Sequence, residues 1–239
     1  MRILMVLTCI LPTFLSGQYY LLGTAGYMEN GCIQLTPDAP FAEGLAYNQD
    51  KLDLTRYFEI QFDIYLGDKE EGADGITFVM HNDVRGFGAF GQWGECMGYG
   101  RFNPAAPGNS IDPSIAVEFD TYQNLYQLDP ESDHVAYLEN GSSRHQRFWN
   151  NADSLFNLED DYLHEFRLRW NPKKQELIVF LDNWVVYKGE KDLLQEIFEG
   201  ESKVIWGFTA STGRKYNQQY FCLKRIVEML PRLKNERSG

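Results

Sequence analysis

The sequence predicts an all-β fold of two stacked antiparallel sheets. Hydrophobic and polar residues alternate over short stretches, which is the pattern of a strand with one wet face. Gly, Pro and Asn separate these stretches, and only two short segments have a helical pattern. Many short strands joined by turns are typical of a sandwich and not of alternating βαβ units. A sandwich of 239 residues is commonly one domain.

The predicted strands can be placed in order along the chain. The segment YFEIQFDIYLG alternates cleanly from Phe58 to Tyr65. HEFRLRW and ELIVFLDN, joined by the turn NPKKQ, predict a hairpin. Trp170, Trp184 and Trp206 lie in strand patterns and are expected in the core. Further strands are expected to begin at Gly75, Ser114, His134, Trp184 and Val204.

Helical candidates are few. One is the segment KDLLQEIF at residues 191–198. The other is the segment 224–239, which Pro231 interrupts because proline cannot continue a helix. Neither is long enough to change the all-β prediction.

Both ends of the chain are predicted to lie outside the folded domain. Residues 1–17 carry Arg2, an apolar stretch and a Ser-Gly end, which is the pattern of a cleaved secretory signal. The mature chain is expected to start near Gln18, with a sandwich domain at 18–225 and a short tail at 226–239. No later stretch approaches transmembrane length. We therefore expect a secreted protein, extracellular or periplasmic.

Three cysteines remain once Cys9 leaves with the signal. In a compartment where disulfides persist, Cys32, Cys96 and Cys222 permit three pairings. Cys32 is near the mature start and Cys222 near the end of the last strand-like segment, so a bond between them would tie the termini together. We predict this pairing, which leaves Cys96 in a glycine-rich loop, residues 81–107.

The formal net charge of -12 argues against a nucleic-acid partner. Phosphates require clustered Lys and Arg, which this chain does not have. A neutral ligand or a cation suits it better. Solubility of an exported protein accounts for the larger part of the acidity.

The segment AVEFDTYQN, residues 116–124, gathers oxygen atoms on one side of a predicted strand. Alternation places four polar side chains on one face: Glu118, Asp120, Tyr122 and Asn124. A turn and the next strand then supply Asp129 and His134. Carboxylate, amide and carbonyl oxygens suit Ca²⁺, whereas an added imidazole suits a transition ion such as Mn²⁺. Two ions that share Asp120 and Asp129 would use all of these groups.

Two other interpretations of this segment stay open. Glu118 and Asp120 could be ordinary solvated sheet positions, although three converging carboxylates without a cation would repel one another. Alternatively, two acids on alternate strand positions are how some retaining glycosidases place nucleophile and general acid. Such a site needs a further carboxylate at the next position on that face, where this chain has Tyr122.

Seven segments in their combined order resemble the L-type lectin family, most closely its bacterial legume-lectin-like domains. They are GCIQLTP at 31–37, GADGITFVMH at 72–81, GECMGYG at 94–100, PSIAVEFDTYQN at 113–124, DPESDH at 129–134, HEFRLRWNPKKQELIVFLDN at 164–183 and WGFTASTG at 206–213. They cover roughly residues 20 to 222. The resemblance implies a concanavalin A-like jelly-roll sandwich of antiparallel sheets.

The resemblance also implies a paired Mn²⁺ and Ca²⁺ site. The transition-ion ligands of the family match Glu118, Asp120, Asp129 and His134. The calcium ligands match Asp120, the carbonyl of Tyr122, Asn124 and Asp129.

A carbohydrate site next to the metals is the third implication. In the family a cis peptide bond precedes the sugar-binding aspartate, so the bond from Ala73 to Asp74 is expected to be cis, with calcium as its restraint. Glu95 and Cys96 stand where legume lectins have small or aromatic residues. The implied carbohydrate-binding residues are Asp74, Gly75, Glu95, Cys96, Met97, Gly98, Tyr122, Asn124, Gly213 and Arg214.

These observations together predict a secreted, non-catalytic lectin. Its expected cofactors are Ca²⁺ and Mn²⁺ or another transition ion, and its expected partners are glycans or glycoproteins. Association into a homo-oligomer is left open. The alternatives are a glycoside hydrolase of the same fold and a metal-stabilised adhesion or scaffold module.

Overall fold

A computed structural model describes most of the chain. The described residues are 18–103, 109–145, 147–149 and 157–228. The predicted signal at 1–17 lies outside them, as does the end of the predicted tail from residue 229. The described strands form two stacked sheets whose neighbours pair antiparallel, which confirms the predicted all-β sandwich.

The first sheet carries the acidic strand in its middle. In spatial order its strands are β1 (Tyr19–Gly23), β4 (Glu43–Asn48), β14 (Lys203–Ser211), β7 (Gly75–His81), β8 (Ser114–Asp120), β9 (His134–Glu139) and β10 (Arg147–Trp149). A short strand, β5 (Leu52–Asp53), also pairs with β14. Chain neighbours β7, β8 and β9 are also antiparallel sheet neighbours, so the segment before β7 and the loop from β8 to β9 meet at the same end of the sheet.

The second sheet closes the other side of the core. In spatial order its strands are β13 (Trp184–Glu190), β12 (Glu176–Leu181), β11 (His164–Asn171), β6 (Phe58–Tyr65), β15 (Gln219–Glu228), β3 (Ile33–Thr36) and β2 (Gly26–Tyr27). In β6 and β11 every second side chain is buried, as the alternation predicted.

Aromatic side chains fill the space between the sheets. Phe62 of β6 meets Phe208 of β14 edge to face, with ring centroids 4.8 Å apart. Phe208 also stacks on Phe221 of β15 at 4.2 Å. Such contacts bind the two sheets together beyond simple burial of area.

Strand β8 is buried on both of its faces. Val117 and Phe119 face the core between the sheets. Ala116 faces a second apolar layer, in which Tyr47 and Tyr99 are almost fully buried. The glycine-rich loop builds this outer layer and covers the first sheet.

Hydrogen bonds fix the glycine-rich loop on the sheet. The Tyr47 hydroxyl donates to the carbonyl of Ala89 at 2.8 Å. The Tyr99 hydroxyl lies 3.0 Å from the Ser114 hydroxyl at the start of β8. The loop is therefore a cover for the acidic strand, except for residues 104–108, which lie outside the described part.

Strand β8 ends earlier than the alternation predicts. Its last residue is Asp120, so Tyr122 and Asn124 lie in the following loop and not on the same strand face. The reason is local, because the Asp120 carboxylate accepts a hydrogen bond from the Tyr122 amide at 2.7 Å. This side-chain bond turns the backbone out of the sheet ladder.

Three other sequence predictions need correction. Lys224–Glu228, placed in a helical candidate, continues β15 because it pairs with β6 as far as Phe58. The segment 191–198 forms only a short π-helical turn at Leu193–Ile197. Trp170 and Trp206 are core residues, but Trp184 is 70% exposed at the sheet edge. The strands β1 to β5 were not predicted, since each is short and depends on its neighbours.

The predicted disulfide is confirmed. Cys32, next to β3, is bonded to Cys222 in β15, across a sequence separation of 190. Among the cysteines that the structure describes, Cys96 is the free thiol, and it is buried. Burial raises the pKa of Cys96 to about 12, so this thiol is unreactive at neutral pH. In the described part no helix is long and apolar enough to cross a membrane.

Loss of the disulfide is expected to destabilise the domain. The double variant Cys32→Ser/Cys222→Ser should lose about 2–5 kcal/mol of the free energy of unfolding, because the bond closes a long loop of the unfolded chain. Denaturant titration of both proteins measures the difference. Reduction of the wild type should give the same loss, and an unchanged midpoint in both cases would contradict the prediction.

Candidate functional site

The acidic face of β8 is buried. Glu118 and Asp120 are each only 2% exposed. The interpretation of these residues as ordinary solvated sheet positions is therefore wrong. Asp129 and His134, 7% and 1% exposed, complete the predicted set of buried ligands.

Two overlapping groups of donor atoms meet at this face. One donor atom from each of Glu118, His134 and His145 lies within 4.8 Å of the others. The same is true of Asp120, Asp129 and His134. We call these five residues the acidic cluster. It contains all four predicted transition-ion ligands and adds His145.

His145 was not predicted as a site residue. Its Nε2 lies 2.9 Å from the Glu118 carboxylate, and its Nδ1 lies 3.5 Å from Asp129 Oδ1. The His145 amide donates to the carbonyl of Gln127, which fixes the loop over the cluster. No sequence spacing shows this, because the position depends on how the chain folds back after β9.

Two oxygen atoms beside the cluster have no hydrogen-bond partner among the described residues. They are Asp129 Oδ1 and Asn124 Oδ1, and both are buried. The other carboxylate oxygen of Asp129 accepts a hydrogen bond from the backbone amide of Asn124 at 2.5 Å. Buried polar atoms without partners are costly, so these two point to a ligand.

Burial dominates the electrostatics of the cluster. It raises the pKa of Asp120 well above the ordinary value, and the charges of Glu118 and Asp129 add to the rise. Burial also raises the pKa of Asp129 to about 7, although the Asn124 amide and His145 oppose it. Without a cation, folding therefore brings these carboxyl groups close together despite their mutual repulsion.

The two histidines of the cluster respond differently. Burial, with help from the charge of His145, lowers the pKa of His134 to about 3, so His134 is neutral. For His145 burial alone lowers the pKa, but the hydrogen bond and charge of Glu118 and the charge of Asp129 outweigh it and raise the pKa. The neighbouring carboxylates thus favour the protonated form of His145, whereas burial favours the neutral form of His134.

A cavity of about 350 Å³ opens next to the cluster. Its lining residues are Ala73, Asp74, Trp93, Gly94, Glu95, Phe102, Tyr122, Asn124, Gly213, Arg214 and Lys215. Asp74 is 5% exposed, and its Oδ2 has no hydrogen-bond partner in the described part of the chain. Burial raises the pKa of Asp74 to about 7, and the Glu95 charge adds to this, whereas the Gly213 amide lowers it.

Four of the predicted carbohydrate-binding residues do not line this cavity: Gly75, Cys96, Met97 and Gly98. Cys96 and Met97 belong to the loop, but their side chains are buried. The amides of Met97 and Gly98 already donate within the loop, to the carbonyls of Gly94 and Gln92. The loop therefore reaches the cavity through Trp93, Gly94 and Glu95, and the predicted sugar-binding role of the other four residues stays a prediction.

Gly75 has a structural role. A Cβ atom at this position would lie 2.1 Å from the carbonyl oxygen of Phe119, and the φ angle of Gly75 is +140°. Both features require glycine, since only glycine lets the backbones of β7 and β8 approach this closely here. The neighbouring bond from Ala73 to Asp74 is cis, as the resemblance implied.

A backbone hydrogen bond connects the cavity to the cluster. The amide of Thr121, the residue after Asp120, donates to the carbonyl of Asp74 at 3.1 Å. The Asp74 amide donates in turn to the carbonyl of Ser211 in β14 at 3.2 Å. Asp74 is thus held in place from both neighbouring strands.

The cavity also has an aromatic rim that the sequence did not assign clearly. Trp93 and Phe102 are 53% and 40% exposed and meet edge to face, with ring centroids 6.2 Å apart. Tyr122 lies in the same lining at 38% exposure. Rings of this kind can pack on the apolar face of a sugar.

A larger cavity, of about 600 Å³, lies elsewhere, between β1 and β15 beside the disulfide. Its lining includes Tyr19, Trp206 and Phe221, and it contains none of the predicted ligand or sugar residues. Size alone does not make it the functional site, because the buried Asp74 carboxylate oxygen and the Asn124 amide oxygen without partners in the described structure lie at the smaller cavity.

The comparison with protein families assigns the chain. The model of the legume lectin β-barrel domain matches residues 12–225. The chain therefore belongs to the L-type lectin family. Members of this family are non-enzymatic carbohydrate-binding proteins that bind metal ions, which excludes the glycosidase alternative.

Solved structures agree on the jelly-roll sandwich fold. The lectin from Bauhinia forficata in complex with GalNAc has 22% identity and a TM-score of 0.73, over 90% of this chain and 93% of that one. Basic winged bean lectin with Tn-antigen has 21% identity and a TM-score of 0.70, over 90% and 93%. The metal-free form of lectin I-B4 from Griffonia simplicifolia has 18% identity and a TM-score of 0.71, over 91% and 96%. The closer likeness to bacterial domains stays a prediction.

Asp129→Asn should stabilise the metal-free protein and destabilise the metal-loaded one. The folded state raises the pKa of Asp129 from 3.8 to about 7, so it binds this proton more tightly than the unfolded chain does. That contribution to the free energy of unfolding falls as the pH rises between these values. Asn does not titrate, so in chelator the variant should melt higher than wild type at about pH 8, with the gap closing towards about pH 4.

With Ca²⁺ and Mn²⁺ present the order should reverse, because the variant has lost a charged ligand. Thermal melting across the pH range, with and without chelator, measures both effects. The matched control is Asp68→Asn, at an exposed position, which should move neither curve. A variant that melts lower than wild type at every pH in chelator would contradict the argument.

Proposed function

We propose that this protein is a secreted lectin whose glycan site is the cavity above Asp74, ordered by a Ca²⁺ and transition-ion pair in the acidic cluster. The observation that carries the proposal is the buried Asp74 carboxylate, whose Oδ2 has no partner in the described structure and which lines that cavity. A buried carboxylate of this kind requires donors from a ligand.

The donor set fits the proposed metals. Asp120 and Asp129 would bridge the two ions, with Glu118 and His134 on the transition ion. Asn124 and the carbonyl of Tyr122 would complete the calcium side, and the unpartnered Asn124 Oδ1 and Asp129 Oδ1 support this assignment. Hard oxygen donors suit Ca²⁺, and the mixed oxygen and imidazole set suits Mn²⁺ or a similar ion. The ions would neutralise the repulsion among the carboxylates and fix the loop at 121–129.

The cavity suits a neutral sugar. Asp74 can accept hydrogen bonds from two adjacent hydroxyl groups, and an ionised acceptor makes stronger bonds than a neutral one. Asn124 would bridge the two sites, with its oxygen on calcium and its amide nitrogen on the sugar. Tyr122 and Trp93 supply apolar ring faces at the rim.

Export from the cytoplasm is part of the proposal. The disulfide between Cys32 and Cys222 supports an oxidising compartment, and the first 17 residues have the composition of a secretory signal. The expected compartment is extracellular or periplasmic.

The test of the glycan site is Asp74→Asn. The change keeps the volume and removes the charge, so affinity for the bound glycan should fall at least about tenfold, the loss expected from hydrogen bonds to an ionised group. Calorimetry on hits from a glycan array measures this, with Ca²⁺ and Mn²⁺ present. GalNAc and Tn-antigen are natural first probes, since the similar plant lectins were determined with them.

The control variant is again Asp68→Asn, which should bind like wild type. Chelation should abolish glycan binding and lower the melting temperature together. If chelation lowers the melting temperature but no glycan binds under any condition, the metal site is structural and the protein is a scaffold or adhesion module.

A further inference from the structure

His145 lies inside the acidic cluster, where it is the second imidazole. Its side chain has 0% relative exposure. Its Nε2 is 2.9 Å from Glu118 Oε2 and 3.3 Å from His134 Nε2. Three potential donor atoms from three different segments therefore converge on one point.

The hydrogen bonds fix which nitrogen of His134 faces that point. His134 Nδ1 lies 3.3 Å from the carbonyl oxygen of Ser132. A carbonyl oxygen only accepts, so Nδ1 carries the proton and Nε2 presents its lone pair to the cluster. This is the arrangement by which proteins orient metal-binding histidines.

Hydrogen bonds of Nε2 hold His145 in the cluster. His145 Nε2 faces a carboxylate oxygen of Glu118 and the lone pair of His134, and both of these accept hydrogen bonds. His145 Nε2 must therefore donate. A cation bound to the same three atoms would replace these hydrogen bonds, since one donor atom from each residue lies within 4.8 Å of the others.

We infer that His145 is a fifth protein ligand of the transition ion, and that the ion site therefore prefers a later first-row divalent ion such as Zn²⁺ to Mn²⁺. The inference rests on the metal site proposed above. Four ligands, Glu118, Asp120, Asp129 and His134, give one nitrogen and three oxygens. His145 makes the set two nitrogens and three oxygens. Imidazole donors favour the later ions of the series, whereas Mn²⁺ is suited by oxygen donors.

Displacement of His145 by an incoming ion is the competing outcome. The surroundings of His145 oppose it. The side chain is fully buried, its amide is bound to the carbonyl of Gln127 at 3.3 Å, and Nδ1 faces Asp129 Oδ1 at 3.5 Å. To leave, the ring would have to move the loop that covers the cluster.

Proton NMR of the Co²⁺-loaded protein tests the inference directly. A paramagnetic ion shifts the exchangeable N–H signals of the imidazoles that bind it. His134 Nδ1–H, bound to Ser132, and His145 Nδ1–H, facing Asp129, are both buried against exchange. We expect two shifted, exchangeable imidazole signals in the wild type and one in His145→Gln.

Competition between Zn²⁺ and Mn²⁺ gives the second readout. In His145→Gln the preference for Zn²⁺ should fall at least about tenfold, the smallest change typical for loss of a group that supports a metal. The matched control is His164→Gln. His164 also lies between two carboxylates, Asp160 and Asp182, but outside the acidic cluster. This control should keep both NMR signals and the wild-type metal preference.

The outcomes separate this inference from the proposed function. One shifted imidazole signal in the wild type, or an unchanged metal preference in His145→Gln, would overturn the role of His145 and leave the metal site in place. Failure of the wild type to bind Zn²⁺, Co²⁺, Mn²⁺ or Ca²⁺ at all would overturn both. If His145→Gln does not fold, the signal count in the wild type alone decides.

Discussion

Like charges held out of water are the constraint on which the site depends. Glu118, Asp120 and Asp129 lie close together under the glycine-rich loop, where repulsion is stronger than at a surface. The protein meets this cost in part with the His145 side chain, which faces Glu118 and Asp129, and with backbone amides from the loop that follows β8. Asp129 Oδ1 and Asn124 Oδ1 remain without a hydrogen-bond partner in the described structure, and such oxygen atoms are suitable ligands for a divalent cation. The metal-free protein therefore has a lower free energy of unfolding than it would have with an ion bound.

The cover that creates this constraint also lines the cavity proposed as the glycan site. The glycine-rich loop contributes Tyr99 to the second apolar layer, and a few residues earlier it places Trp93 and Glu95 at the cavity. One segment therefore serves two purposes. Its glycines allow a tight path over the sheet, and its large side chains are kept for the points where the path meets the core or the ligand.

The sequence was informative where the residue pattern is local. Alternation predicted the strand Phe58–Tyr65 and the neighbouring carboxylates Glu118 and Asp120, and the combined motifs predicted the family. It was uninformative where the answer depends on packing. A two-residue period cannot say whether an acidic face is wet or covered, and it could not show that a side chain of Asp120 ends β8 before Tyr122. His145 could not be found, because its place depends on a long-range return of the chain. The short strands β1 to β5 were missed for the same reason.

The hydrogen bond from Thr121 to Asp74 has a thermodynamic consequence. Asp74, which lines the cavity, is hydrogen-bonded to the residue that directly follows Asp120 of the acidic cluster. A cation at Asp120 that changes the affinity of Asp74 for a ligand by some factor must have its own affinity changed by that ligand, by the same factor. Under the proposed function, in which the ions order the glycan site, bound glycan would in turn raise the affinity for the metal. In surroundings poor in cations, the protein would keep its ions longest where its sugar is abundant.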